Sequence, residues 1–166
     1  DVGPAPAGIA IVGDSAWVPL GNGSVARIDG RTNRVRQEIQ VAETGNATWT
    51  SFGSGTLWVS APKESTLTEI DVRTGRIIGR TKAGTKPADG DVLGPDVWVP
   101  NRGPGPGAAL LRVDRRTRRV AVLTPPLVDG FVVGAGFGDV WVPDFGGTDV
   151  LRVRPSLAPR PTFSTP

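Results

Sequence analysis

The chain has 166 residues, enough for one domain with a sizeable core, and its 19 basic and 16 acidic residues give a formal net charge of +3. The absence of cysteine excludes disulfides and cysteine nucleophiles, and the absence of histidine leaves only carboxylates and lysines as catalytic bases. So small a positive charge does not favour a nucleic-acid partner, and no apolar run is long enough to predict a membrane span.

Short runs of valine, isoleucine, leucine and tryptophan recur at even spacing between 23 glycines and 16 prolines. This pattern predicts an all-β protein with many tight turns and almost no helix. Four Trp-Val pairs follow one another at steps of 41, 40 and 43 residues, which indicates an internal repeat. The tryptophans of these pairs are Trp17, Trp58, Trp98 and Trp141.

The repeat predicts a β-propeller of four blades of about 41 residues, each an antiparallel sheet of four strands A to D. A single such sheet cannot bury both faces, whereas radial stacking buries the faces between blades, with each tryptophan as a wedge. Strand B carries the Trp-Val pair. The other strands are predicted, in chain order, at Gly8–Val12, Val25–Asp29 and Val35–Val41; Ala47–Phe52, Leu67–Asp71 and Ile77–Lys82; Asp89–Leu93, Leu110–Asp114 and Val120–Thr124; and Phe131–Ala135 and Val150–Val153.

The fourth blade lacks a good outer strand. Only Pro161–Ser164 is available there, within a Pro-rich tail at residues 155–166, and its prolines make a poor strand. We therefore expect a propeller domain at residues 1–154 whose last blade is incomplete unless the tail contributes. The predicted blades span residues 6–42, 43–83, 84–126 and 127–164. Because proteins rarely leave a pairing edge bare, the ring either closes with four blades or is completed by self-association or by further sequence.

An Asp-x-x-Thr pattern recurs where strand C turns into strand D. Its aspartates are Asp29, Asp71 and Asp114, and an aspartate at such a position accepts hydrogen bonds from backbone N–H groups of the turn. We interpret these three residues as structural rather than functional.

The first repeat carries a recognisable pattern, made of Pro6, Ile9-Ala10, Gly13 and Trp17-Val18, followed by Arg27-Ile28-Asp29 and Thr32. This pattern resembles the repeat of the YVTN and streptogramin-lyase-like (virginiamycin B lyase-like) bacterial β-propellers. The resemblance extends over about Pro6 to Val153. It implies a bacterial protein, secreted or otherwise extracytoplasmic, that acts as a sensor or binding module. The lyases of the group use histidines with a divalent metal, so their chemistry cannot be assigned to any residue of this chain.

In propellers, ligands usually meet the loops around the central channel, which the family geometry places between strands B and C and between strands D and A. The alternative interpretation is a solvated loop surface. The candidate ligand-binding residues in the B–C loops are Asn22, Lys63, Glu64, Asn101, Arg102, Asp144 and Phe145. The D–A loops add Glu43, Lys86 and Asp129.

Asp89 and Asp91 lie two residues apart in the third strand A and are weak candidates for a Ca²⁺ or Mg²⁺ site, with hydrated channel carboxylates as the alternative. No spacing of a dedicated metal motif supports the site, so the sequence predicts no cofactor and no metal. The run Arg115–Arg119 could contact phosphate or an acidic partner, but its place in an outer turn favours a solvated face.

Three functions remain open. The favoured hypothesis is a non-catalytic module that binds a protein, peptide or glycan through its loops, because no recognised catalytic constellation is present. The second is a degenerate or partial lyase-like enzyme. The third is a self-assembling extracellular structural protein.

Overall fold

The computed structural model describes residues 1–102, 109–123 and 129–158, and this part of the chain contains fifteen β-strands and no helix. Each sheet joins consecutive strands in antiparallel pairs; three sheets have four strands and the last has three. The predicted all-β, four-blade propeller fold is therefore confirmed, with an incomplete fourth blade in the described residues. The predicted strand at Pro161–Ser164 lies outside the described residues.

The chain forms two compact units, Asp1–Lys82 and Ala83–Pro166, with two blades in each. The first unit contains strands β1 (Ala10–Val12), β2 (Ser15–Pro19), β3 (Ser24–Asp29) and β4 (Arg34–Gln40), then β5 (Trp49–Gly53), β6 (Thr56–Ala61), β7 (Thr66–Asp71) and β8 (Arg76–Lys82). The second contains β9 (Asp91–Leu93), β10 (Asp96–Asn101), β11 (Ala109–Asp114) and β12 (Val120–Leu123), then β13 (Gly134–Gly136), β14 (Asp139–Pro143) and β15 (Val150–Val153).

The inner strands differ most from the sequence prediction. In the third and fourth blades, β9 and β13 begin two and three residues later than the predicted starts Asp89 and Phe131. The preceding residues are extended but pair only through single bridges, such as the parallel bridge between Asp89 and Val132. The inner chain segments of the third and fourth blades thus pair partly with each other rather than only with the strands of their own sheet.

The Asp-x-x-Thr turns contain the side-chain hydrogen bonds that the pattern predicts. Oδ1 of Asp29 accepts the N–H groups of Thr32 and Arg31, and Oδ1 of Asp71 accepts the N–H of Thr74 at 2.7 Å. Asp114 accepts the N–H of Thr117 in the same way. These backbone donors hold the pKa of each carboxyl below its ordinary value, because they favour the charged form.

A left-handed residue closes each of these turns. The residue after the threonine has a positive φ in all three copies: Asn33, Gly75 and Arg118. Asparagine and glycine adopt this conformation readily. Arg118 adopts it at φ 60° although its type disfavours it, which shows that the capped turn determines the local backbone.

Each unit has a core to which both of its blades contribute. In the first unit, Trp17 and Ile39 belong to the same buried cluster as Leu57 and Ile70 of the second blade. In the second unit, Trp98 of the third blade belongs to a cluster with Val133, Val140 and Val142 of the fourth. Full burial of one large apolar side chain contributes about 1.5–3 kcal/mol, so these shared clusters hold the paired sheets together.

Arginines lie over three of the four tryptophans that belong to the Trp-Val pairs. The strand register places Arg27, Arg112 and Arg152 directly across from Trp17, Trp98 and Trp141. Each guanidinium lies 5.0 to 5.3 Å from the centre of its indole ring, within cation–π range. In the second blade the corresponding residue is the buried Glu69, across from Trp58.

An aspartate two residues before the tryptophan completes this arrangement in the second unit. Arg112 donates from Nε and Nη2 to Oδ2 of Asp96 at 2.9 and 2.7 Å, and both side chains are at most 5% exposed. Arg152 donates from Nε to Oδ2 of Asp139 at 2.6 Å. Arg112 also donates from Nη1 to the carbonyls of Pro155 and Ala158, so the third blade holds the chain that follows β15.

Replacing Asp96 by alanine is expected to lower the free energy of unfolding by about 3–5 kcal/mol, because Arg112 would stay buried without its counter-ion. Urea denaturation followed by tryptophan fluorescence measures the change. Asp14→Ala is the control, since Asp14 is 75% exposed and lies 3.9 Å from Arg31; its cost should be below about 1 kcal/mol. Equal stability of the two variants would contradict this account.

Candidate functional site

The B–C and D–A loops of the second unit meet at one edge of its sheets. Single antiparallel bridges join Pro87 to Asn101 in the third blade and Gly130 to Asp144 in the fourth. Both bridges connect a residue four positions before the inner strand with the end of the Trp-Val strand of the same blade. Each bridge thus places the start of a B–C loop beside the D–A segment of its blade.

A cation and two aromatic rings form the centre of this edge. The guanidinium of Arg102 lies 4.5 Å from the ring centre of Phe131, and it donates from Nε and Nη2 to the two carboxylate oxygens of Asp129, both at 3.2 Å. The rings of Phe131 and Phe145 meet edge to face with centres 5.9 Å apart. We call Arg102, Asp129, Phe131 and Phe145 the loop-face cluster.

Backbone bonds fix the cluster in place. The N–H of Phe145 donates to the carbonyl of Asp129 at 2.8 Å, and Oδ1 of Asp144 accepts the N–H of Asp129 at 2.9 Å. Phe145 is nevertheless 62% exposed. The loops thus present a largely exposed apolar ring beside a cation, an arrangement typical of residues that dominate protein interfaces.

Two of the predicted binding residues fasten the D–A loop of their own unit. Oδ1 of Asn101 accepts the N–H groups of Thr85 and Lys86 at 2.8 and 2.9 Å. A glycine is required nearby, because a Cβ on Gly84 would lie 2.4 Å from Oδ1 of Asn101. In the first unit, Oε1 of Glu64 accepts the N–H groups of Glu43 and Thr44, which lowers the pKa of Glu64.

The remaining predicted residues of the first unit do not join these contacts. Asn22 donates to Oε1 of Glu38, and its own Oδ1 accepts the N–H and the hydroxyl of Ser24. Lys63 is exposed in the loop after β6. Of the seven candidates, the structure therefore brings together Arg102, Asp144 and Phe145.

Asp89 and Asp91 line the inner segment of the third blade next to the fourth. Oδ2 of Asp91 accepts the N–H of Ala135 at 2.8 Å and its Oδ1 accepts the N–H of Val92, so backbone donors occupy both oxygens. Burial, and next the charge of Asp91, raise the pKa of Asp89 to about 6. Within the described ranges, no group of three or more acidic side chains is arranged to hold a metal ion.

The sequence predicted Asp129 as part of a candidate D–A loop, but it did not single out Phe131 and did not pair Asp96 with Arg112. Phe131 had a signal, because it lies two residues after Asp129 and residues two apart in an extended segment face the same side. The ion pair had a signal as well, since Asp-Val-Trp-Val-Pro occurs in both the third and fourth repeats.

The four sheets define a β-propeller-type chain, and the loops of its second unit carry the loop-face cluster of one cation and two aromatic rings. Its fold is similar to that of the virginiamycin B lyase of Staphylococcus aureus, with a TM-score of 0.75 at 18% identity over 89% of this chain and 51% of the lyase. It is also similar to the computationally designed protein Ika4, with a TM-score of 0.74 at 12% identity over 90% of this chain and 92% of Ika4. Hydrazine synthase of Kuenenia stuttgartiensis gives a TM-score of 0.76 at 17% identity.

At these identities the likenesses show the fold alone. The chain covers 42% of the hydrazine synthase chain and about half of the lyase, but nearly all of Ika4. No protein-family model and no curated protein matches the sequence. None of the described segments forms a helix with the length and apolarity needed to cross a bilayer.

Replacing Asp89 by asparagine is expected to stabilise the protein at pH 7 but not at pH 4. The pKa of Asp89 is raised in the folded state, from 3.8 to about 6. The wild type therefore loses stability as the pH rises through this window, and keeps the full penalty above it. The gain should be on the order of 1 kcal/mol, since solvent partly screens the charge. Thermal unfolding at both pH values measures it, and an equal effect at both would contradict the assignment.

Proposed function

We propose that this chain is a non-catalytic propeller module that binds a protein or peptide segment through the loop-face cluster. The observation that carries the proposal is the exposed Phe145 ring, fixed by backbone bonds beside the Arg102–Phe131 pair. Aromatic and arginine side chains at the centre of a surface contribute most of the binding energy in many interfaces. Glycan binding is the alternative ligand class for the same surface.

The chemistry of the cluster favours a peptide with an apolar side chain and an acceptor group. Nε and Nη2 of Arg102 are occupied by Asp129, while Nη1 makes no hydrogen bond within the described residues. That N–H group can donate to a carbonyl or carboxylate of the ligand while the Phe145 ring buries an apolar side chain. Such a contact is anchored by packing and oriented by one polar bond.

We also propose that the chain belongs to the YVTN and streptogramin-lyase-like repeat group and acts outside the cytoplasm of a bacterium. The repeat pattern from Pro6 to Thr32 supports the group, and the similarity of fold to virginiamycin B lyase agrees with it. The proposal does not extend to lyase activity, for which the chain has no histidine.

Peptides selected from a displayed random library on the wild-type protein should lose affinity by roughly tenfold or more with Phe145→Ala or Arg102→Ala. The control is Phe137→Ala, because Phe137 is 97% exposed but lies in the turn between β13 and β14. Affinities by calorimetry should be unchanged in that variant. Selection of no peptide, or binding of an arrayed glycan that depends on Phe145, would contradict the peptide proposal.

Self-association is a second candidate, favoured by the edge of the fourth blade. Within the described residues β15 pairs with β14 alone, whereas a fourth strand covers this position in each of the other blades. Val150 on this edge is exposed. A strand from a second copy could add to such an edge through main-chain hydrogen bonds.

Sedimentation velocity over a range of concentrations tests this candidate. A dimer or larger species that dissociates in Val150→Lys would support it, because a charge on an edge strand opposes pairing. A monomer at all concentrations would contradict self-association and leave peptide binding unaffected.

A further inference from the structure

Three of the four repeats have an arginine across from the tryptophan, and the arginine of the first blade lacks the counter-ion that the other two have. In the third and fourth blades, the arginine across from the tryptophan pairs with an aspartate two residues before that tryptophan. Both carboxylates, those of Asp96 and Asp139, come from the chain itself. A cavity of about 380 Å³ borders both of them in the second unit.

The first blade keeps the arginine and lacks the aspartate. Ser15 occupies the position of Asp96, and Nε of Arg27 donates to Oγ of Ser15 at 3.1 Å. This is the one hydrogen bond of the Arg27 side chain among the described residues, and no carboxylate there lies within ion-pair distance of it. The guanidinium is half-buried over the ring of Trp17 at 5.0 Å.

A cavity of about 270 Å³ opens beside this guanidinium. Its lining residues are Asp14, Ser15, Arg27, Asp29, Arg31 and Arg36. Both carboxylates of the lining have other partners. Asp29 accepts two backbone N–H groups with Oδ1 and pairs with Arg36 through Oδ2. Asp14 is largely exposed and lies 3.9 Å from Arg31. Three arginines against two aspartates leave the cavity with an excess positive charge at Arg27.

We propose that this cavity binds an external carboxylate, which neutralises the charge of Arg27 as Asp96 neutralises that of Arg112. The ligand carboxylate accepts hydrogen bonds from Nη1 and Nη2, while Ser15 keeps Nε. A charge-assisted bond to a half-buried guanidinium is stronger than one in open solvent, because the site is partly desolvated. The carboxylate comes either from a small organic acid or from an Asp or Glu side chain of a partner. The proposal is independent of the loop-face cluster, which lies in the other unit.

Titration with sodium acetate, followed by the NMR signals of the arginine Nε–H groups and the tryptophan indole N–H groups, tests the site. Sodium chloride at equal ionic strength is the control for screening. We expect saturable shifts of Arg27 and Trp17 with acetate only, and their loss in Arg27→Gln. A blocked Gly-Glu-Gly peptide distinguishes the sources: shifts with both ligands indicate a side-chain carboxylate, and shifts with acetate alone indicate a small acid.

Ser15→Asp supplies the carboxylate from the chain and should close the site. The third blade already holds Asp96 across from Asp114, so an aspartate across from Asp29 is compatible with this sheet. The variant should raise the melting temperature by about 2 °C or more and weaken the acetate response roughly tenfold. Ser15→Asn, of nearly equal shape but neutral, should do neither. Unsaturable shifts in the wild type, or unchanged acetate binding in Ser15→Asp, would overturn the proposal.

Discussion

The packing of the Trp17 and Trp98 strands against the second sheet of their own unit is the interaction on which the rest of this structure depends. A four-stranded antiparallel sheet has two faces, and an isolated blade could bury neither. Trp17 and Trp98 solve this problem within their units, since each lies in a cluster shared by two blades. The arginine over each ring adds a cation–π contact and, in the second unit, an ion pair that ties strand B to strand C. The loops therefore start from strand ends whose positions are set by this packing, and backbone hydrogen bonds then join the loops of the loop-face cluster.

Much of the fold could be predicted because each repeat is marked by short sequence patterns of neighbouring residues. The Trp-Val spacing and the Asp-x-x-Thr turns predicted the blades and most strands within a few residues. The inner strands were predicted too long, because whether a segment such as Asp89 pairs in its own sheet depends on the neighbouring blade. The predicted domain bounds, 1–154 with a tail at 155–166, stay predictions.

The candidate site was predictable only in part. Loop position was enough to select Arg102, Asp144 and Phe145, which the structure brings together. The same criterion selected Asn101 and Glu64, whose acceptor oxygens bind backbone N–H groups of a neighbouring loop. Sequence alone cannot separate a side chain that faces a ligand from one that fastens a loop, because the distinction depends on how two distant loops approach each other. Ser15 shows a further limit of sequence-based prediction. Only the strand register reveals that Ser15 takes the place of Asp96, so that the first blade lacks the corresponding carboxylate.

The most direct measurement of the central claim is a nuclear Overhauser spectrum of a sample with labelled methyl groups. The account predicts contacts from the Trp17 indole to methyl groups of Leu57 or Ile70, and from the Trp98 indole to those of Val140 or Val142, which belong to the adjacent blade in each case. Contacts of both indoles restricted to their own blades would contradict the account.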